Sequence, residues 1–198
     1  MNLRFEKEGD FREFKEELGK RLDVRETRNV ENPGFKRSAV KVLLLEKDGA
    51  PHVLLTKRSD KVATHKGQIS FPGGGFDEKD GEIINTAFRE TFEETGIRRE
   101  DIEYIGRFDD YVSIFGFHVS CFVGAIAHPY EYSFNEGEID DYVEAPLSIF
   151  VNRQYDHVDY YNHEGRDYKI YHYLYGGFEI WGLTARILTD FATEVVAD

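Results

Sequence analysis

Apolar residues at 11, 14 and 18 recur at helical spacing through DFREFKEELGKRL, with charged residues between them, which predicts a surface helix over 10–22 with Asp10 placed to cap it. The run AVKVLLLEKDGAPHVLLTKR then changes to β-rich patterning. It predicts strands over 39–46 and 52–58, joined as a hairpin by a turn containing Gly and Pro. A glycine-rich turn, FPGGGFDEKDGE, leads into a second helical pattern over about 82–95, with Gly96 in the position that ends a helix. Strand-like runs follow at 102–108 and 118–127, then the acidic loop HPYEYSFNEGEIDD and the apolar segment APLSIFV. Two tyrosine-rich strands, 157–161 and 168–175, bracket the turn NHEGRD, and a last helix over about 182–194 carries Leu183, Ile187, Leu188 and Phe191. Strands with one helix in mid-chain and one at the end predict an α+β or mixed α/β layered domain.

Composition bounds this picture. The 198 residues are 40% hydrophobic and 15% aromatic, enough for one globular domain with its own core and unlike a collagenous or disordered chain. Apolar stretches such as 42–45 are far shorter than the ~20 residues that span a bilayer, and the start MNLRFEKEGDF has no apolar signal core. A soluble cytoplasmic protein with no membrane partner is the expectation, and the lone Cys121 fits a reducing compartment. The net charge of −13 argues against a nucleic-acid partner, so an anionic substrate would need a local basic patch.

Candidate chemistry concentrates in FPGGGFDEKDGEIINTAFRETFEETGI, residues 71–97. On a helix, Glu90, Glu93 and Glu94 share an arc of roughly 100°, while Ile84, Phe88, Phe92 and Thr95 are expected on the packing side. Like charges at this spacing weaken an isolated helix by a few tenths of a kcal/mol per pair. A solvated acidic face is the plain alternative, with Arg89 and Arg58 as partial counter-ions. A hard divalent cation offsets the repulsion more directly, since Mg²⁺ takes oxygen ligands and is commonly shared between carboxylates and phosphates. The preceding Gly73, Gly74 and Gly75 strengthen that reading, because consecutive glycines suit a sharp turn or a close backbone approach. Neither the Gly-Lys-Ser/Thr of a P-loop nor the G-x-G-x-x-G spacing of a dinucleotide fold is present, and no H-E-x-x-H or paired-cysteine spacing indicates zinc. His118, His128 and His172 read as structural or exposed.

These residues resemble the Nudix box, G-x5-E-x7-R-E-U-x-E-E-x-G-U with U a bulky aliphatic. Arg89, Glu90, Glu93, Glu94, Gly96 and Ile97 stand in place, and Thr91 replaces an aliphatic. Counted from Gly74, five residues lead to Asp80 and eight more to Arg89; counted from Gly75, the spacing fits but Gly81 takes the acidic position. The lengthened box with Asp80 is similar to the coenzyme A pyrophosphatase branch, as is LLTKRSDKVATHKGQISFPGG at 54–74, where Ala63 replaces a second arginine. That segment holds Lys57, Arg58, Lys61 and Lys66 against Asp60, a basic island in an acidic chain.

The resemblance implies a single domain over 1–198, with an N-terminal helix and extension over 1–37 and a core of about 38–191. It implies a Nudix-type α/β/α sandwich with a mixed β-sheet. By the same resemblance, Glu90, Glu93 and Glu94 would ligate Mg²⁺ or Mn²⁺, Arg89 would orient the glutamates, and Asp80 would anchor the loop or reach the metal through water. Glu93 and Glu138 are the candidate general bases. Arg58, Lys57, Lys66, Gly73 and Gly74 are the candidate contacts to a small nucleotide-derived substrate. The implied activity is hydrolysis of the pyrophosphate of coenzyme A to 3′,5′-ADP and 4′-phosphopantetheine. Another nucleoside diphosphate derivative and a non-catalytic ligand sensor are the alternatives. The tyrosine-rich strands are read as half-buried strand residues or the surface of a homodimer.

Overall fold

The computed structural model describes residues 1, 3–6, 9–30, 34–62, 65–163 and 165–197, and side chains at all of these except 163 and 166. Ala63 therefore lies outside the described residues. The chain order is α1 (Asp10–Val24), β1 (Lys36–Lys47), β2 (Ala50–Arg58), β3 (Ile69–Ser70), β4 (Gly73–Gly75), α2 (Ile83–Thr95), β5 (Glu103–Val112), β6 (Phe117–Ala125), β7 (Ile139–Pro146), α3 (Ser148–Val151), β8 (His157–His163), β9 (Arg166–Tyr175), β10 (Phe178–Ile180) and α4 (Gly182–Phe191). No helix among the described residues is long and apolar enough to cross a membrane.

The expected hairpin forms, but its turn is Asp48-Gly49, both at positive φ, with Pro51 already inside β2 opposite Glu46. Both turn residues tolerate the left-handed region, so two residues suffice and each strand runs longer than the hydrophobic pattern alone indicates. Asp10 does not cap α1. Gly9 precedes the helix without a side-chain cap bond, and the Asp10 carboxylate accepts from the Glu6 amide instead.

The main sheet is mixed. β1 pairs parallel with β6 along most of its length, and β6 pairs antiparallel with β5. On its other edge β1 pairs with β2 only from Leu43↔Leu54 to Lys47↔Ala50. Beyond that point β4 replaces β2 beside β1, from Val40↔Gly73 to Ser38↔Gly75, while β2 continues between β7 and the short β3. The three glycines thus form a short strand where β1 and β2 part, rather than the turn the sequence suggests.

Alternation along β1 divides the core between the two faces of the sheet. Val42 and Leu44 belong to the larger cluster, with Phe14, Leu18 and Leu22 of α1 and Ala185, Leu188 and Phe191 of α4. Leu43 and Leu45 face Phe88 of α2 together with Ile97 and Ile102, and Ala39 meets Ala87 and Phe122. Helices cover both faces, as an α/β/α sandwich requires. A second sheet, β10-β9-β8, carries the tyrosine-rich hairpin. Tyr173 is fully buried there, whereas Tyr160, Tyr161 and Tyr168 are exposed. Past α4 the chain continues as a π-helical turn over Ala192–Val196 rather than as α-helix to residue 194.

Candidate active site

The loop into α2 is held by its own acids before any ligand is considered. Asp77 accepts from the Lys79 amide at 2.9 Å, and the Asp77 amide donates to Asp80 at 3.1 Å, a reciprocal cap around a single 3₁₀ turn. Asp80 also accepts from the Thr86 hydroxyl at 2.7 Å and from Arg89 Nε and Nη2 at 2.8 and 3.0 Å. The Arg89 guanidinium holds the Asp80 carboxyl well below the usual carboxylate range, and Asp80 raises Arg89 in turn. Gly81, at φ 69°, ends the 3₁₀ turn, so the extra residue of the box is absorbed without moving Asp80 off Arg89.

Arg89 is the hub. Its Nη1 donates to Glu90 at 2.8 Å and to Glu93 at 3.0 Å, and its Nη2 also reaches the Gly75 carbonyl at 3.0 Å. One planar cation thus fixes two of the helix carboxylates and ties both to the glycine strand. Thr91, at the aliphatic position, is fully buried because its hydroxyl donates to the Ala87 carbonyl at 2.7 Å.

The three glutamates differ in burial. Glu93 is half exposed, whereas the side chain of Glu94 is only 2% exposed. Glu94 accepts from the Gly73 amide at 3.3 Å and lies 3.6 Å from Arg58 Nη1. Burial pushes its carboxyl up to about 8, against the opposing pull of Arg58 and the Gly73 amide, with Glu90 and Glu138 adding repulsion. Burial also raises Glu90, which Arg89 counteracts while Glu93 and Glu138 add to the rise. The charge of Glu138, on the loop before β7, therefore bears on the same cluster as the helix glutamates.

The packing side of α2 is turned from the expected one. Ala87, Phe88, Thr91, Glu94 and Thr95 are buried, and Phe92 is 53% exposed. The glycine strand explains the rotation. A Cβ on Gly73 would collide with the Ala39 carbonyl, so that glycine lets β4 pair closely with β1, and one on Gly74 would overlap the Glu90 carboxylate, so Gly74 lets β4 lie against the glutamate side of the helix. Gly75 meets nothing within 4 Å. The close approach of Gly73 and Gly74 is thus to protein atoms.

The basic island is only partly directed at the cluster. Arg58 faces Glu94, and Lys61 Nζ donates to the Glu136 carbonyl at 3.2 Å. Lys57 sits beside a bulge in the β2–β7 pairing, where its charge acts on Asp140, and Lys66 is exposed. Sequence reasoning missed Thr86 and Asp77, which show only once the loop closes on itself.

The donor set suits a divalent cation in its chemistry, although among the described residues the three carboxylates do not bring their oxygens all within 4.8 Å of one another. Glu90, Glu93 and Glu94 offer oxygen only, and a buried carboxylate such as Glu94, with Arg58 no closer than 3.6 Å, gains from a further positive charge.

The NUDIX domain family model matches residues 35–157. The uncharacterized Nudix hydrolase NudL of Enterobacter sp. (strain 638) is 33% identical over 160 residues, covering 81% of this chain and 83% of that protein. The NudL of Pectobacterium atrosepticum is 36% identical over 146 residues, covering 73% and 76%. Among solved structures, the Nudix hydrolase RenU of M. smegmatis superposes with a TM-score of 0.50 at 18% identity, over 63% of this chain and 78% of that one, a likeness of fold.

Proposed function

The chain belongs to the Nudix hydrolase family and is a pyrophosphohydrolase of nucleotide-derived small molecules, and from that premise we propose that its substrate is coenzyme A or a derivative. The observation that carries the reading is Arg58, at the end of β2 in the basic stretch, set 3.6 Å from Glu94.

In this reading Glu90, Glu93 and Glu94 hold Mg²⁺ or Mn²⁺. Bound there, the cation supplies charge neutralisation at the phosphates and lowers the pKa of water. Arg89 holds Glu90 and Glu93 in place, and Asp80 holds Arg89. Because Glu93 is tied to Arg89, Glu138 is taken as the base that accepts a proton from the attacking water, and its charge acts on Glu90 and Glu94. The water oxygen bonds to one phosphorus and the bridging P–O bond breaks. The bridging oxygen leaves with the other phosphate, giving 3′,5′-ADP and 4′-phosphopantetheine. Lys66 and Lys57 provide positive charge for the substrate's phosphates.

A panel of coenzyme A, ADP-ribose, nucleotide sugars and dinucleotides, assayed with Mg²⁺ and with Mn²⁺, tests this. Coenzyme A should show a kcat/KM at least about 10-fold above the others, equivalent to about 1.4 kcal/mol of transition-state discrimination, with 3′,5′-ADP as product. Faster release of a nucleoside monophosphate from another substrate would replace coenzyme A, and no turnover of any member would favour a ligand sensor.

The glycines allow a sharper check. Gly74→Ala pushes on the carboxylate end of Glu90, so turnover should fall by about 10- to 100-fold while the melting midpoint holds, because small displacements of a reacting geometry are costly. Gly75→Ala has open space and should change neither quantity. Equal activities of the two variants would contradict this placement of Glu90.

A further inference from the structure

Two histidines far apart in sequence meet on the second sheet. The β8–β9 register sets His157 directly opposite His172, and Asp159, two residues along β8, shares their face. One ring nitrogen of each histidine and one Asp159 oxygen all lie within 4.8 Å of one another. Each Nδ1 is already engaged: His157 with Asp156 at 2.9 Å, and His172 with Glu179 at 2.8 Å. A carboxylate on Nδ1 makes that nitrogen the donor and leaves the Nε2 lone pair directed away from it, as in histidines that ligate metals. His172 is only 9% exposed, and its Nε2 has no hydrogen-bond partner among the described residues, with Asp159 Oδ2 at 3.6 Å. The rings of His157 and His172 stack at 4.1 Å, and Trp181 lies parallel to His172 at 5.9 Å on its β10 side, so the buried ring is held in place.

We propose that His157, His172 and Asp159 form a binding site for a transition cation of the zinc class, on a different sheet from that packed against the helix glutamates. Two imidazoles and one carboxylate are a nitrogen-rich set that suits Zn²⁺ and its neighbours, whereas Mg²⁺ prefers oxygen ligands throughout. The buried Nε2 of His172 supplies one ligand already in position. His157 and Asp159 are exposed and need only side-chain rotation to close on the ion. Asp156 and Glu179 add negative charge behind the two imidazoles. None of this shows in the sequence, where the two histidines stand 15 positions apart.

The test is calorimetric titration of the full chain with Zn²⁺ at pH 8, in millimolar Mg²⁺ that keeps the helix glutamates occupied. One equivalent should bind with a Kd of about 10 μM or tighter, about −7 kcal/mol. Glu94→Gln should bind equally well, and His157→Ala, which removes an exposed side chain, should weaken binding by about 100-fold, about 2.7 kcal/mol. Asp159→Asn should weaken it in the same direction. Absence of saturable uptake, unchanged affinity in His157→Ala, or loss of binding in Glu94→Gln with His157→Ala unaffected would each overturn the site.

Discussion

Replacement of Glu94 by glutamine is expected to lower metal-dependent hydrolysis by about 1,000-fold or more, the scale of losing a group that stabilises transition-state charge. The size follows from burial. Glu94 is the deepest of the three glutamates and is fixed by the Gly73 amide. The fold should survive. The substituted amide side chain keeps an oxygen to accept from Gly73 and avoids the cost of a buried charge, while Arg58 loses its counter-ion. These oppose each other, so the melting midpoint should stay within about 4 °C, the shift expected for roughly 1 kcal/mol in a domain of this size. Wild-type turnover of coenzyme A and of the other panel substrates by this variant would remove Glu94 from the site.

Substitution of Lys41 by methionine is expected to stabilise the protein at neutral pH by on the order of 2 to 4 kcal/mol. Lys41 points from β1 toward α2, is fully buried, and has an Nζ with no hydrogen-bond partner among the described residues. Its Nζ lies 3.5 Å from the centre of the Phe88 ring and 5.7 and 5.8 Å from those of Phe122 and Tyr104, and Arg99 caps Phe88 at 4.4 Å. Burial, with repulsion from Arg99, lowers its pKa to about 7 from 10.5. Between these two values the unfolded chain holds the proton that the folded chain has released, so wild-type stability rises as pH climbs from about 7 to 10.5. Methionine removes that dependence. The gap between variant and wild type should be widest at pH 7 and below and should close toward pH 10.5, as read from urea unfolding at several pH values. A variant less stable than wild type, or a gap constant with pH, would refute the account.

The glutamate cluster was legible because it is local. Glu90, Glu93 and Glu94 share an arc through helical periodicity alone, and Gly96 ends the helix where the pattern stops, with its amide donating to the Phe92 carbonyl. The hairpin was legible for the same reason, since period-two and period-3.6 patterns report burial along one element, whereas the α/β/α order of the layers came from the family resemblance. Phe92 was misplaced. Periodicity defines an apolar side but not how far a helix is turned toward its neighbour, and here Gly73 and Gly74 admit a strand that covers the glutamate side. Lys41 was not singled out, because its burial depends on α2 lying over β1 and on the Phe88 ring beneath that helix.

What the sequence determined by itself was the kind of chemistry: three carboxylates on one helix, an arginine and aspartate in the same segment, and a basic stretch before the glycines. Those are properties of spacing, set by bond geometry within single elements. Tertiary structure alone decided which glutamate is buried, that Asp80 rather than Gly81 meets Arg89, and that His157 faces His172. Each of these depends on where separate segments come to rest against one another, which is a matter of packing and strand register that no single element carries.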